Sequence, residues 1–312
     1  MALHVLEPER RTLHGHFSRD LPAALTVEPG DTVRFKTLDA NWGLEAFSAP
    51  QATRRTFEPR TPGLDDGHAL CGPVEVRGAE PGMALEVHIG VLVPGPWGFN
   101  SAGGEWPEEL NTYLGVAEGG RNRLTWSLDT EAMVGRSSTG HSVALSPFLG
   151  VMGMPPAEPG VHPTAPPRVW GGNIDCKELT FGSTLYLPVP VPGALFSAGD
   201  GHAAQGDGEV GGSAIECPMA QADLTFNLRD DLRLTTSRAK TPTAWLTFGF
   251  HQDLNEAMRL ALADMLVLMG ELLKVSRKEA LALASVVVDL RVTQVVNGVC
   301  GVHAVLPHGA VR

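Results

Sequence analysis

The first 250 residues alternate apolar and polar positions with the period of β-strands. In the segment 25–38, Val33 and Phe35 alternate with basic residues after a Pro-Gly turn, which predicts a half-buried strand. A similar Pro-Gly turn and alternating strand recur over Ala79–Ile89. This repetition predicts two strands in related positions of two sheets.

Further strands are predicted along the same part of the chain. Asp223–Arg229 and Thr243–Phe250 have the composition of strands, and Leu185–Val191 contains two prolines. Because proline cannot donate to a β-ladder, we expect the third segment to be an edge strand or an extended surface segment. No Pro/Gly/Ser-rich linker separates two halves of different composition, so we expect a single domain over residues 1–312.

The pattern changes to a helical one near residue 254. Apolar residues recur at close to 3.6-residue spacing over Leu254–Lys274, and Ser276 with Glu279 forms a capping box for a second helix to about Ser285. Alternation from Val286 onward predicts a late strand. The expected fold class is therefore α+β, a β-rich fold of sandwich-like antiparallel sheets with a helical pair at about 254–285.

Composition and charge then narrow the class of protein. The chain of 312 residues has 36 glycines and 24 prolines with 43% hydrophobic residues, which indicates many turns around a real core. A net charge of −11 without a basic stripe argues against nucleic-acid binding. No apolar run is long enough to span a membrane, and no signal core is visible at the N-terminus. The four cysteines are widely spaced. Together with the lack of a signal core, this spacing predicts a cytoplasmic protein with reduced thiols.

The densest polar cluster is the glycine-rich segment Ser197–Glu209. Asp200 and His202 are two residues apart and would point to the same side of an extended segment. A carboxylate oxygen and an imidazole nitrogen together suit Zn²⁺ or a similar divalent ion. The alternative is an acidic surface loop in which residues such as Asp207 only make turns.

Two other clusters carry candidate ligands. Asn173 and Asp175 follow a glycine pair and lie on one face, and Asp175 could equally stabilise a turn. His68 comes directly before a turn and strand and could face the opening of a sheet, although a lone surface histidine is the commoner case. Nothing near Cys176 in the sequence supplies a histidine base, so we expect a buried, inert thiol there.

Taken together, these stretches resemble the acetamidase/formamidase family along almost the whole chain. The segments that carry the resemblance are Gly72-Pro73 with His68 before it, Gly78–Gly82, Pro147–Gly153, Gly171–Asp175, Gly199–His202, Gln205–Glu209, Ala214–Glu216, Thr293–Asn297 and Gly301–Ala304. The resemblance implies a cytosolic hydrolase that cleaves small aliphatic amides to ammonia and a carboxylic acid, usually as a homo-oligomer. Asp39 matches the family's early acidic segment only loosely, which weakens any role for it.

Amide hydrolysis requires an activated water, a stabiliser for the oxyanion and an acid for the leaving nitrogen. Because no serine-hydrolase elbow is present, we hypothesise a divalent metal, zinc first, with calcium or another divalent ion as alternatives. The expected ligands are His68, Asp200 and His202, with Asp175 as a further ligand or a carboxylate behind them. The expected catalytic residues are Glu209 as general base, Glu216 as its reserve, and Asn173 or Gln205 as donors to the oxyanion.

Two alternatives stay open at this point. The chain could be a non-enzymatic β-sandwich binding module whose loops hold a structural cation. It could also keep the amidase fold and act on a carbamate or a larger amide. The expected partner in the main hypothesis is a small amide substrate, and a neighbouring subunit could complete the pocket.

Overall fold

The computed structural model describes residues 1–104 and 107–312. The strands in chain order are β1 (Leu3–Leu6), β2 (Leu13–His14), β3 (Leu25–Val27), β4 (Thr32–Phe35), β5 (Leu70–Val76), β6 (Ala84–Pro94), β7 (Trp97–Ala102), β8 (Asn122–Asp129), β9 (Val134–Ser137), β10 (Ser142–Ala144), β11 (Phe148–Gly153), β12 (Gly171–Asn173), β13 (Thr184–Pro188), β14 (Phe196–His202), β15 (Glu216–Cys217), β16 (Met219–Arg229), β17 (Arg238–Lys240), β18 (Ala244–His251), β19 (Asp289–Gln294) and β20 (Cys300–Pro307). The helices are α1 (Glu108–Tyr113), α2 (Leu254–Leu273) and α3 (Arg277–Val287).

The described strands form two large sheets, and nearly all their pairs are antiparallel. One sheet has nine strands in the order β1-β4-β16-β6-β13-β17-β18-β20-β19. The other has eleven strands, with the path β10-β9-β8-β7-β15-β14-β11-β12 and with β5 joining β2 and β3 to β14. Only β1 with β4 and β3 with β5 pair in parallel among the described strands. The predicted α+β, β-rich fold class is confirmed.

The main core fills the space between the two sheets. Phe196 on β14 of the larger sheet contacts Phe35 on β4 and Phe226 on β16 of the smaller one, with ring centroids 6.4 and 5.1 Å apart. All three rings are fully buried. These edge-to-face contacts between strands of different sheets identify the packing as a sandwich.

The helical pair forms a second, smaller core against β18 and β20 of the nine-stranded sheet. Gly249 on β18 permits the close approach, because a Cβ there would meet the backbone nitrogen of Ala261 at 2.6 Å. Asp253 caps α2 by accepting from two backbone N–H groups, and Ser276 caps α3 by accepting from the N–H of Glu279. Both helices therefore begin and end within two residues of the predicted positions.

Two predictions about strands are wrong. The strands that follow the two Pro-Gly turns, β4 and β6, lie in the same sheet, because the long strand β16 pairs with both of them. The proline-containing segment is an internal strand, since β13 pairs with β6 on one side and β17 on the other. Its prolines are tolerated because β17 pairs only with Thr184–Tyr186, so the missing N–H of Pro188 lies beyond that ladder.

The structure also bears on two features considered from the composition, membrane-spanning segments and cysteines. Within the described ranges, no helix is both long and apolar enough to cross a membrane. The cysteines are unpaired thiols, and three of the four are fully buried.

Candidate active site

The end of β14 brings the first two candidate ligands together. Asp200 Oδ1 lies 3.3 Å from Nε2 of His202, as the spacing of two residues along a strand predicts. Glu216 on β15 is the cross-strand partner of His202, and its Oε2 is also 3.3 Å from the same nitrogen. One imidazole nitrogen therefore faces two carboxylates from neighbouring strands.

The glycine-rich strand β12 delivers the next two side chains. Asn173 ends this strand and Asp175 follows it, beside β11 in the same sheet. Asn297, in the turn between β19 and β20, donates from Nδ2 to Oδ2 of Asp175 at 2.8 Å. The Gln205 amide donates to the backbone carbonyl of Asp175, and its Oε1 lies 2.9 Å from Nδ1 of His202. This network ties three chain segments together, those that carry Asp175, His202 with Gln205, and Asn297.

Three of the site acids have left-handed backbone conformations. The φ angles are 54° at Asp175, 58° at Asp200 and 46° at Glu209. Such angles are uncommon for residues other than glycine, and they cluster where side chains are held for a function. The local backbone is thus shaped to turn these carboxylates into one space.

We call Asp175, Asp200, His202, Glu209 and Glu216 the carboxylate cluster. All five residues are at most 7% exposed. Four buried oxygens at the cluster have no hydrogen-bond partner in the described part of the chain: Asn173 Oδ1, Asp175 Oδ1, Glu209 Oε2 and Glu216 Oε2. The last of these is close to His202 but is not aligned for a hydrogen bond. Because an unpaired buried oxygen is costly, these oxygens are groups that could accept a cationic partner.

Burial raises the pKa values of most acids in the cluster. Desolvation lifts the pKa of Glu209 to about 7 and that of Glu216 to about 8, and it lifts the pKa of Asp175 well above its usual range. Burial also acts to raise the pKa of Asp200, but the positive charges of His202 and His68 outweigh it and hold that pKa low. For His202, burial is outweighed by Asp200 and Glu216, and its pKa is raised well above the usual value. Without a bound cation, the negative charge of the cluster is reduced by protonation of the carboxyl groups whose pKa values are raised.

The residues present fit a divalent cation. Two overlapping donor sets, Asp175–Asp200–His202 and His202–Glu209–Glu216, each have ligand atoms within 4.8 Å of one another. Gly150 on β11 leaves the space open, since a Cβ there would meet Oδ1 of Asp175 at 2.7 Å and Cε1 of His202 at 2.8 Å. Carboxylate oxygens with one imidazole suit zinc, manganese or a similar ion.

His68 is the predicted ligand that the structure does not bring into either donor set. It is half-buried, and its Nδ1 lies 2.8 Å from Oγ1 of Thr164. Its charge nevertheless lowers the pKa of Asp200, so it lies in the neighbourhood of the cluster. A direct role for His68 as a ligand stays a prediction.

The two acids of uncertain role, Asp39 and Asp207, lie in ion pairs instead. Asp39 is fully buried and pairs with the buried Arg54. Asp207 is exposed and lies 3.0 Å from Nζ of Lys177. Neither belongs to a donor set in the described residues.

Sequence reasoning missed two residues of the site. Asn297 holds Asp175, and Gly150 keeps the space between the acids open. Both lie in segments that carry the family resemblance, Thr293–Asn297 and Pro147–Gly153. That resemblance was the available signal, because nothing in the local residue types distinguishes either position.

Two cavities lie near the site. One of about 310 Å³ is lined by Gln205 and Glu209 together with residues of β7 and the loop before β15. A larger one of about 610 Å³ is lined by His68, Trp42 and Thr164, and none of the cluster acids lines it. Of these two cavities, only the smaller is lined by a residue of the carboxylate cluster, Glu209, so we take it as the approach to the cluster.

Comparison with known proteins places the whole chain in one class of hydrolases. The sequence model of the acetamidase/formamidase family matches residues 4–162 and 157–309. The chain belongs to this family, and membership supports amide hydrolysis as the general reaction.

Individual relatives agree with this assignment. The chain is similar to a formamidase of Methylophilus methylotrophus, with 30% identity over 64% of this chain and 59% of that protein. It is also similar to an acetamidase of Mycolicibacterium smegmatis, with 28% identity over 63% of this chain and 61% of that protein. The match thus spans about three fifths of these relatives' length. The crystal structure of an acetamidase from Yersinia enterocolitica superposes with a TM-score of 0.85 at 26% identity, covering 99% of this chain and 93% of that one.

Proposed function

We propose that the protein hydrolyses the C–N bond of a short aliphatic amide, of the formamide or acetamide class, with a water activated by a divalent cation. The observation that carries the proposal is the carboxylate cluster, in which buried carboxylate oxygens without partners surround one histidine beside a cavity. Family membership supplies the class of bond. The products are ammonia and a carboxylate.

Asp175, Asp200 and His202 are the residues that would hold the cation. When bound, such an ion lowers the pKa of a water toward 7 and polarises a carbonyl. Gln205 positions His202 by occupying its Nδ1, which leaves Nε2 directed at the acids. A fixed hydrogen bond at one ring nitrogen sets the orientation of the other.

Glu209 is the residue to which we assign the general base. Glu209 is one of the residues that line the cavity, and burial brings its pKa to about 7, the range in which a group can both take and return a proton near neutral pH. It would accept a proton from water and donate it to the leaving amine nitrogen. Glu216 is the reserve for this role, although it lines neither of the two cavities near the site.

Asn173 is the better of the two proposed donors to the oxyanion. Both ends of the Gln205 amide are already engaged, one with His202 and the other with the carbonyl of Asp175. The side chain of Asn173 is buried beside the cluster. The N–H groups of its Nδ2 would be the donors to the developing negative charge.

We further infer that zinc is the ion and that the protein works as a cytoplasmic homo-oligomer. The imidazole in the donor set favours zinc over calcium, which prefers oxygen ligands alone.

Exposed aliphatic side chains on the outer helices, such as Leu260, Leu281 and Val286, support association between copies. Light scattering of the purified protein measures this directly, and a monomer at micromolar concentration would contradict it.

The test of the proposed reaction is ammonia release from a panel of formamide, acetamide, propionamide, urea and simple carbamates, with and without chelator. We expect turnover of one or more short amides that is lost on chelation. Turnover of carbamates alone would move the assignment to the carbamate alternative. No turnover under any metal condition would favour the non-enzymatic binding module.

A further inference from the structure

A second buried group of titratable side chains lies next to the carboxylate cluster and takes no part in the proposed reaction. Cys176 and Glu178 come from the segment after β12, and His303 comes from β20. We propose that Cys176, Glu178 and His303, here called the thiol triad, form a separate metal site of the zinc type.

The distances within the thiol triad are those of ligands around one small ion. Oε2 of Glu178 lies 3.2 Å from Sγ of Cys176 and 3.4 Å from Nε2 of His303, and the three ligand atoms lie within 4.8 Å of one another. Zinc bonds of about 2.0–2.3 Å place neighbouring ligand atoms of a tetrahedron about 3.3–3.8 Å apart. Little movement is needed to seat the ion.

The imidazole of His303 is oriented as a metal ligand. Its Nδ1 lies 2.8 Å from Oγ1 of Thr293, while its fully buried Nε2 has no hydrogen-bond partner in the described chain. If Nδ1–H donates to the hydroxyl, the lone pair of Nε2 points at Glu178 and Cys176. Zinc-binding histidines commonly have this arrangement, with one nitrogen anchored and the other free.

The carboxylate of Glu178 is likewise held from behind. Its Oε1 accepts from Nη1 of Arg291 at 2.9 Å, which leaves Oε2 for the triad. A zinc ion, the Cys176 thiolate, the Glu178 carboxylate and the Arg291 guanidinium together carry one positive charge. Binding would release the thiol proton to solvent, as metal binding to cysteine generally does.

The donor set separates this site from the carboxylate cluster. The cluster offers oxygens and one imidazole, whereas the thiol triad adds a soft sulfur that selects zinc over calcium or magnesium. Because Cys176 directly follows Asp175, an ion here would tie that segment to β19 and β20 behind the cluster. The site would act as a structural clamp, with one position left for a ligand that is not from the protein.

The first test is spectroscopic and needs no substitution. Metal-free protein is titrated with Co²⁺ and followed for the thiolate-to-cobalt charge-transfer band, and zinc-loaded protein is examined by X-ray absorption. We expect the band, together with a sulfur neighbour about 2.3 Å from zinc. Absence of both signals overturns the proposal and leaves a hydrogen-bonded triad.

The second test assigns the signal to these residues. Cys176→Ser and His303→Asn should abolish the band and lower bound metal by one ion per chain, while Cys300→Ser, at a partly exposed thiol outside the triad, keeps both. Circular dichroism checks that each variant is folded. A band that persists in Cys176→Ser places the metal at another cysteine and contradicts the proposal. If Cys176→Ser does not fold, the X-ray absorption of the unmodified protein decides.

Discussion

Two buried histidines lie beside the two ends of the same strand, β14, and they have opposite environments. Near its beginning, Ser197 presents Oγ to Nε2 of His14 at 2.9 Å, and the other nitrogen of His14 lies 2.7 Å from a backbone carbonyl. At its end, His202 faces Asp200 and Glu216. Both rings are almost inaccessible to solvent.

The pKa values of the two rings move in opposite directions. Burial lowers the pKa of His14 to about 4, since its partners are mainly neutral dipoles. At His202 burial acts the same way, but the charges of Asp200 and Glu216 outweigh it and raise the pKa. Burial with neutral partners thus gives a structural hydrogen-bonding histidine, whereas burial with unpaired carboxylates gives a charged or metal-bound one.

The largest expected effect is loss of activity on replacing the second histidine. His202→Ala removes the only nitrogen shared by both donor sets, so amide turnover should fall by at least about 10³-fold together with bound metal. The same substitution at His14 should leave kcat within about twofold in folded protein, because that ring touches no cluster residue. Equal losses in the two variants would contradict the comparison.

The next effect concerns proton transfer. Glu209→Gln keeps the shape of the side chain but removes the base, and kcat should drop by about 10²–10⁴-fold while metal content is retained. Ammonia release and metal analysis on the same preparation measure both. A larger loss in Glu216→Gln than in Glu209→Gln would reverse the two assignments.

The structural histidine should appear in the pH dependence of stability. His14 has a pKa of about 4 in the folded protein and about 6.5 unfolded, so only the unfolded state gains its proton between these values. Its contribution is full above pH 6.5 and is lost as the pH falls toward 4, by about 3 kcal/mol. Urea unfolding of wild type and His14→Asn should show a steeper decline for wild type. Parallel curves would refute this account of His14.

The smallest effect should come from closing the space in the cluster without removing a ligand. Gly150→Ala places a methyl group against Asp175 and His202, and metal affinity should fall by about 10–100-fold, as when supporting residues of metal sites are altered. Gly270→Ala on α2 is the matched control, since its Cβ would meet only an ordinary contact at 3.5 Å. Unchanged affinity in Gly150→Ala would mean that the ion does not lie between these acids.

Features that depend on neighbouring residues in the chain could be predicted from the sequence. The 3.6-residue spacing and the capping box placed both C-terminal helices, and the spacing of Asp200 and His202 placed them on one side of a strand. Local periodicity is a direct consequence of backbone geometry.

Features that depend on which strands meet could not be predicted in this way. Strand β13 is internal because it pairs with β6 on one side and with β17 on the other. The contact of His303 with Glu178 joins residues that are 125 positions apart. A glycine such as Gly150 shows no chemistry of its own, and its role is visible only once Asp175 and His202 surround it. Pairing between distant segments is a property of the packed sandwich and not of any short stretch.

The central claim is that the carboxylate cluster holds a cation on which amide hydrolysis depends. The most direct measurement is ammonia release by metal-stripped protein as Zn²⁺ is added back, alongside the same titration of His202→Ala. We predict that activity rises from near zero and saturates as the cluster fills in wild type, and that the variant recovers nothing. Full activity of the stripped wild-type protein before any metal is added would contradict the account.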